Sequence, residues 1–330
     1  MGHGCRAFKV VDIGVRPNLI VWLSLLLCCP RAVVGWLLMA MPMAVRVVSD
    51  KLRGACHTAS TVRRHPSNQG HMLVALTRAY KYQFQSEFRR GAPVPIRTGF
   101  GPMLRVTSLH HASTRAAFAS LPDLHEMSFW KSWLRPGDLF VDVGANVGLY
   151  ALLAASLGSE VIAVEADADA CAELRANVEA NGFGSRVIIV QAAATSTPGA
   201  VTFTVGHDEM NRMTVGHDDA QFRVVRGVTL DSLIGDRVVR GCKIDVEGAE
   251  RLVLEGARQC LRDARIEALQ LEWNFTSREN FGEDRSLALA CLTQAGYTTA
   301  RPDAAGRLHL GAAGEGRDLF AIPKSASVAR

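Results

Sequence analysis

The sequence predicts an α/β domain built on a doubly wound, mostly parallel sheet, preceded by a basic, partly helical extension. Three observations predict it. From Pro136 onward, short β-prone runs alternate with helical patterns. The first run, LFVDV at 139–143, passes through a glycine turn into a helix. A second run, EVIAVE at 160–165, ends on a carboxylate about 20 residues after that turn, where doubly wound sheets place an acid that binds ribose hydroxyls.

Each element follows from its own pattern. The strand at 139–143 is continuously apolar apart from Asp142, as a strand covered on both faces should be. A helix over 147–157, a strand at 160–165 and a helix over 168–181 follow, and Asn181-Gly182 closes that last helix. The next strand spans 186–191. The stretch 204–219 holds a local duplication, TVGHDE then TVGHDD. His207, Asp208, His217 and Asp218 offer metal-ligand chemistry, but one ten-residue repetition reads as a β-hairpin with polar tips, and no metal site is assigned. VTLDSL at 228–233 reads as a turn and short helix. After it come strands at 243–247 and 267–273, a helix over 287–295, and strands at 297–301 and 318–322.

The glycine turn has the spacing D-x-G-x-N-x-G, not the G-x-G-x-x-G of a dinucleotide site. Asp142 at the strand end suits an ammonium group and would repel a pyrophosphate. That chemistry points to S-adenosylmethionine, which has an amino-acid head and no phosphate. The candidate cofactor contacts are Asp142, Gly144, Asn146, Gly148, Tyr150, Glu165 and Ala193. Gly144 and Gly148 let the backbone approach a ligand, Tyr150 offers a ring to its cationic end, and Glu165 accepts from ribose hydroxyls.

A second motif is KIDVEGAE at 243–250. Strand alternation puts Lys243, Asp245 and Glu247 on one face, where three ionisable groups are costly unless they pair or line a site. These are the candidate catalytic residues, with Asp245 and Glu247 serving the acceptor oxygen and Lys243 holding them. The bland alternative is a Lys243–Asp245 ion pair that only shapes the loop.

Together PGDLFVDVGANVGLY, VIAVEADADA, NVEANG, VTLDSL, KIDVEGAE and DLFAIPK, in this order, resemble the FkbM-type S-adenosylmethionine-dependent methyltransferases. The resemblance covers roughly residues 120–325. It implies a class I methyltransferase (Rossmann-like) fold, with a seven-stranded sheet whose final hairpin makes one strand antiparallel. It also implies methylation of hydroxyl oxygens on sugars, glycans, lipid-linked or secondary-metabolite acceptors. Ala166-Asp167 departs from the family, which usually has Pro after the ribose-binding Glu. A metal-dependent O-methyltransferase and a non-catalytic S-adenosylmethionine-binding protein are the alternatives.

Charge divides the chain unevenly. Residues 1–115 hold 16 Lys/Arg against 3 Asp/Glu, and the rest 21 against 29. The acidic catalytic half argues against a nucleic-acid substrate. The eight cysteines contain no C-x-x-C pair and read as buried small hydrophobes in a reducing compartment. The apolar stretch 19–45 is cut by Pro30-Arg31 into runs of 11 and 14 residues, each short of the ~20 that span a bilayer. Residues 1–50 therefore read as a membrane anchor or an overlong start, 51–119 as a basic extension and 120–330 as the methyltransferase domain. The expected location is cytoplasmic, with peripheral membrane contact through the N-terminal segment as the further option. Within the extension, 72–88 has helical spacing, and the Pro/Gly-rich 92–102 reads as a linker.

Overall fold

The computed structural model describes residues 43–89, 92–106, 111–205, 221–273, 286–311 and 318–327. The chain divides into two compact units, Met1–His57 and Thr58–Arg330. The boundary thus falls inside the stretch 51–119. Most of the apolar segment 19–45, the duplicated His-Asp tips at 206–220 and Asn274 lie outside the described residues. Among the described residues, no helix is long and apolar enough to cross a membrane.

In chain order the elements are α1 (Met43–Arg64), α2 (Met72–Arg89), β1 (Val94–Arg97), β2 (Met103–Val106), α3 (His111–Phe118), α4 (Leu124–Trp133), β3 (Leu139–Val143), α5 (Leu149–Ser156), β4 (Glu160–Glu165), α6 (Ala168–Ala180), β5 (Val187–Gln191), β6 (Ala193–Ala194), β7 (Gly199–Val205), β8 (Gln221–Val228), α7 (Leu230–Ile234), β9 (Gly241–Ile244), α8 (Glu250–Glu255), α9 (Arg258–Arg262), β10 (Leu269–Glu272), α10 (Ser286–Gln294), β11 (Tyr297–Pro302), β12 (Leu308–Leu310), β13 (Asp318–Pro323) and α11 (Lys324–Ser327).

The main sheet runs β12-β11-β13-β10-β9-β3-β4-β5. Its centre, β10-β9-β3-β4-β5, is parallel, and β13 inserts antiparallel between β10 and β11. Seven of these strands are the expected ones, with the expected reversed strand. The eighth is the short edge strand β12, which pairs antiparallel with β11 through Leu308–Leu310. A separate three-stranded sheet, β6-β8-β7, pairs the segments flanking the duplication antiparallel, while the hairpin expected over 204–219 lies almost wholly outside the described residues. Side chains of alternate register fill two cores, one on each face. Trp130, Phe129, Phe140 and Phe320 pack on the α4–α5 side, and Val141, Ile244, Leu269 and Leu271 on the other.

The linker expected over 92–102 is instead a strand and turn of the β1–β2 hairpin, in which Val94 pairs with Val106 and Ile96 with Leu104. Val94 and Ile96 are buried while Pro95 and Arg97 face out. A two-stranded ribbon is all edge, so Pro95 costs no ladder bond that the fold needs.

One residue ties the end of α1 to the rest of its unit. Asn68 is fully buried, donates to the carbonyls of Val62 and Phe118 at 2.8 Å each, and accepts from Ser120 N at 2.9 Å. Asn68→Ala should leave these groups unpartnered and cost about 2–4 kcal/mol. Urea unfolding of the full chain measures it, and a loss below about 1 kcal/mol would show that water or relaxation replaces the bonds.

Candidate functional site

The carboxyl ends of β3, β4, β9 and β10 carry the acids Asp142, Glu165, Asp245 and Glu272. In an open α/β sheet that edge is where ligands bind. Local geometry explains the glycines. Gly144 (φ 75°) and Gly148 (φ 95°) are left-handed. A Cβ on Gly144 would lie 1.7 Å from the Asp245 carbonyl oxygen, and one on Gly148 would lie 2.4 Å from Leu174. Gly144 is therefore glycine because the backbone of the second motif passes against it. Asn146 is also left-handed (φ 48°); its N–H donates to Glu165 Oε2 at 2.7 Å, and its side-chain oxygen is buried without a partner.

Glu165 accepts one backbone N–H on each oxygen, from Asn146 and from Asp167 (2.8 Å). Burial pushes its carboxyl up to about 6, with those N–H groups pulling against it. Asp142 is more exposed to strain of this kind. It is 1% exposed and neither carboxylate oxygen makes a hydrogen bond. Burial lifts it to about 6, while the Lys243 ammonium and, weakly, the Ala151 amide draw it down. A buried carboxylate without a donor costs several kcal/mol unless it is protonated or meets a cation. Ala193 lies on β6 in a small apolar cluster with Ala166 and Ala249.

The expected strand alternation over 243–247 ends early. β9 stops at Ile244, and the chain turns through Glu247 (φ 52°) and Gly248 (φ 105°). The turn is braced by Glu250, which accepts from Val246 N and Gly248 N (3.3 and 3.1 Å). Glu247 thus leaves the strand, yet the loop still brings it close to Asp245 and across to Glu272. The three carboxylates lie within 4.8 Å of one another. Lys243 is buried and donates to Asp245 Oδ2 at 2.7 Å. The Lys243 ammonium holds Asp245 below the usual carboxylate range, whereas burial and the neighbouring Asp245, Glu247 and Glu250 push Glu272 far up. The negative charge of the cluster is thus favoured on Asp245, beside the Lys243 ammonium, over Glu272.

Tyr150 is buried, and the cation above its ring is Lys243, with Nζ 4.8 Å from the centroid. Its hydroxyl donates to Asp123 Oδ2 (2.9 Å) and accepts from Gln270 Nε2 (3.3 Å). Gln270 also donates to Asp318 Oδ1 (3.0 Å), and its carbonyl is held by Trp130 Nε1 (2.5 Å). This network floors a cavity of about 340 Å³ whose walls include His65, Arg115, Asp123, Asp245, Glu272 and Asp318. The sequence reading missed five of these six, because they come from separate elements and share no local pattern. The acid-ended DLF run at 318–320 was the one available signal for Asp318.

The strand order and the reversed β13 are those of the class I methyltransferase fold. Residues 142–299, just under half of the chain, match the family model of the methyltransferase FkbM domain, a match that implies the use of S-adenosylmethionine. Similar folds include the precorrin-6Y C5,15-methyltransferase of Geobacter metallireducens GS-15 (12% identity, TM-score 0.35, covering 61% of this chain and 86% of its own). The C-terminal domain of the Rhodobacter capsulatus precorrin-6Y C5,15-methyltransferase is another (13%, 0.34, 61% and 87%). A human methyltransferase 10 domain containing protein is a third (15%, 0.35, 61% and 80%). At these scores none bears on what the chain acts on. No curated protein matches the sequence.

The buried carboxyls make stability depend on pH in an unusual direction. Asp142 and Asp318 rise from 3.8 to about 6 and about 7, and Glu165 and Glu250 from 4.5 to about 6 and about 7, each chiefly by burial. Each holds its proton more tightly folded than unfolded. The stability they lend is full below the unfolded values and is lost as pH rises through 6–7. His65, lowered by burial, opposes them. The ligand-free chain should melt higher at pH 5 than at pH 8. Asp142→Asn should raise the pH 8 melting temperature and flatten the difference; an unchanged profile would contradict the burial of its charge.

Proposed function

We propose that this chain transfers a methyl group from S-adenosylmethionine to a hydroxyl oxygen on a sugar, glycan, lipid-linked or secondary-metabolite acceptor. The observation that carries this reading is Asp142, a fully buried carboxylate with two unpartnered oxygens one residue from the left-handed glycine turn. Such an atom pair fits an ammonium group. Asp142 would meet the cofactor's amino end. Glu165, with an unused lone pair on each oxygen, would accept from the ribose hydroxyls. The loop Gly144, Asn146 and Gly148 would supply backbone contacts, and Ala193 a small apolar wall. When bound, the cofactor supplies a methyl group on a positively charged sulfur.

The cavity supports a hydroxyl acceptor. Asp123, Asp245 and Asp318 line it beside Arg115 and Lys243, carboxyl groups that can accept from a hydroxyl in a cavity with both signs of charge. Asp245, kept ionised by Lys243, would accept from the acceptor hydroxyl, with Glu247 beside it. Burial brings Asp318 to about 7, near the value a general base needs at neutral pH. Lys243 is buried and fixes the position of Asp245, whose side chain is about a third exposed on the cavity side.

A second reading draws on the Asp245, Glu247 and Glu272 cluster, whose spacing would admit a divalent cation and ionise all three. Loss of labelled-methyl transfer in EDTA, restored by Mg²⁺, would favour it over the metal-free reading.

Two measurements test the proposal. By calorimetry, Glu165→Ala should weaken S-adenosylmethionine binding by about 1.5–3 kcal/mol; unchanged affinity in a folded variant would remove the cofactor assignment. In a labelled-methyl screen of glycans and lipid-linked sugars, the parent should label a hydroxyl, and Asp245→Asn should lower turnover about 10²-fold while cofactor affinity holds. Normal turnover with a depressed melting temperature would leave Lys243–Asp245 as a brace only.

A further inference from the structure

α2 has two apolar faces where one would suffice for packing. Ala75, Arg78, Ala79 and Tyr82 point inward and are buried. Leu73, Tyr80, Phe84 and Phe88 recur at helical spacing on the opposite side and are 80%, 38%, 66% and 69% exposed. The rings of Phe84 and Phe88 lie 4.8 Å apart, so these two form one exposed patch where single exposed hydrophobes would need no explanation. Exposed cations lie on the same helix and at the end of the helix before it. Arg63 and Arg64 end α1, Lys81 sits one turn before Phe84, and Arg89 closes α2. Between residues 58 and 89 the only acid is Glu87, against Arg63, Arg64, Arg78, Lys81 and Arg89.

We propose that this face of α2 lies on an anionic lipid bilayer, with Leu73, Phe84 and Phe88 buried at the headgroup boundary and Lys81 reaching up to lipid charge. Aromatic and aliphatic side chains on one face of a helix, flanked by Lys and Arg, are what an interfacial helix requires. Charge decides against the other occupants. Residues 1–42 carry Arg6, Lys9, Arg16 and Arg31 against Asp12, so they share the sign of the face they would cover. A two-fold pairing of the face with itself would set Lys81 and Arg89 against their own copies.

The test is flotation of the full chain with phosphatidylserine/phosphatidylcholine vesicles and with phosphatidylcholine vesicles alone. Binding should need the anionic lipid and weaken with salt. The triple variant Leu73→Ser, Phe84→Ser, Phe88→Ser should bind at least tenfold less, and Lys81→Glu about fivefold less. Ile188→Ser, which removes an exposed side chain on β5 (60% exposed), should bind as the parent does. The substituted residues face solvent, so unchanged melting temperatures confirm folding. Three results would overturn the proposal: no binding to anionic vesicles, a triple variant that binds like the parent through another segment, or sedimentation showing that the stripe instead holds two copies together.

Discussion

Asp142 on β3 and Lys243 on β9 are register partners in adjacent parallel strands, and Gln270 on β10 is the next residue in the same row. All three project toward the α4–α5 side, among Phe140, Trp130 and Phe320. A row of charge and amide in the middle of an apolar face is the constraint on which the site depends. Each member must find a partner without water. Gln270 does so through Trp130, Tyr150 and Asp318, and Lys243 through Asp245 and the Tyr150 ring. Asp142 has the Lys243 charge beside it, but neither of its oxygens is hydrogen-bonded, and it lies two residues before the left-handed Gly144.

Satisfying that row also shapes what surrounds it. Lys243 reaches Asp245 because β9 ends at Ile244 and the chain bends over Gly144, where even a methyl group would collide with the Asp245 carbonyl. The two sequence motifs are thus one structure: the glycine of the first makes room for the backbone of the second. Tyr150, pinned by Gln270 and Asp123, then carries the network out to Arg115, which pairs with Asp123 at 3.1 Å. His65 holds the same wall from the other side, with Nε2 3.2 Å from the Pro122 carbonyl and Nδ1 2.8 Å from Ser67 Oγ. The cavity is therefore built partly from residues that precede the family-matched stretch, which begins at 142.

The legible parts of the sequence were those encoded locally. The strand LFVDV, the acid at the end of EVIAVE, the helix closed at Asn181 and the short helix in VTLDSL all lie where hydrophobic runs and turn residues put them. What stayed hidden was set by distance or by loop geometry. Alternation placed Glu247 on a strand, but a left-handed turn carried it off. Pro95 and Gly101 disguised the β1–β2 hairpin, although Val94, Ile96, Leu104 and Val106 held its buried alternation. Tyr150 reads in the sequence as a ring for a cofactor's cationic end, and in the structure the cation over that ring is Lys243. Gln270 joins Tyr150 across 120 positions and Asp318 across 48, which no local pattern encodes.

If Asp142 and Glu165 await a cationic, hydroxyl-bearing cofactor, they must shed protons when it arrives. Both sit at about 6 without ligand, so near pH 6 each is about half protonated, while the cofactor's amino group is already charged. Calorimetric titration of S-adenosylmethionine at pH 6, repeated in buffers of different ionisation enthalpy, counts the protons exchanged. Release of about one proton per cofactor bound, reduced in Asp142→Asn, is the result this account predicts. Binding with no net proton release in the parent chain would contradict it.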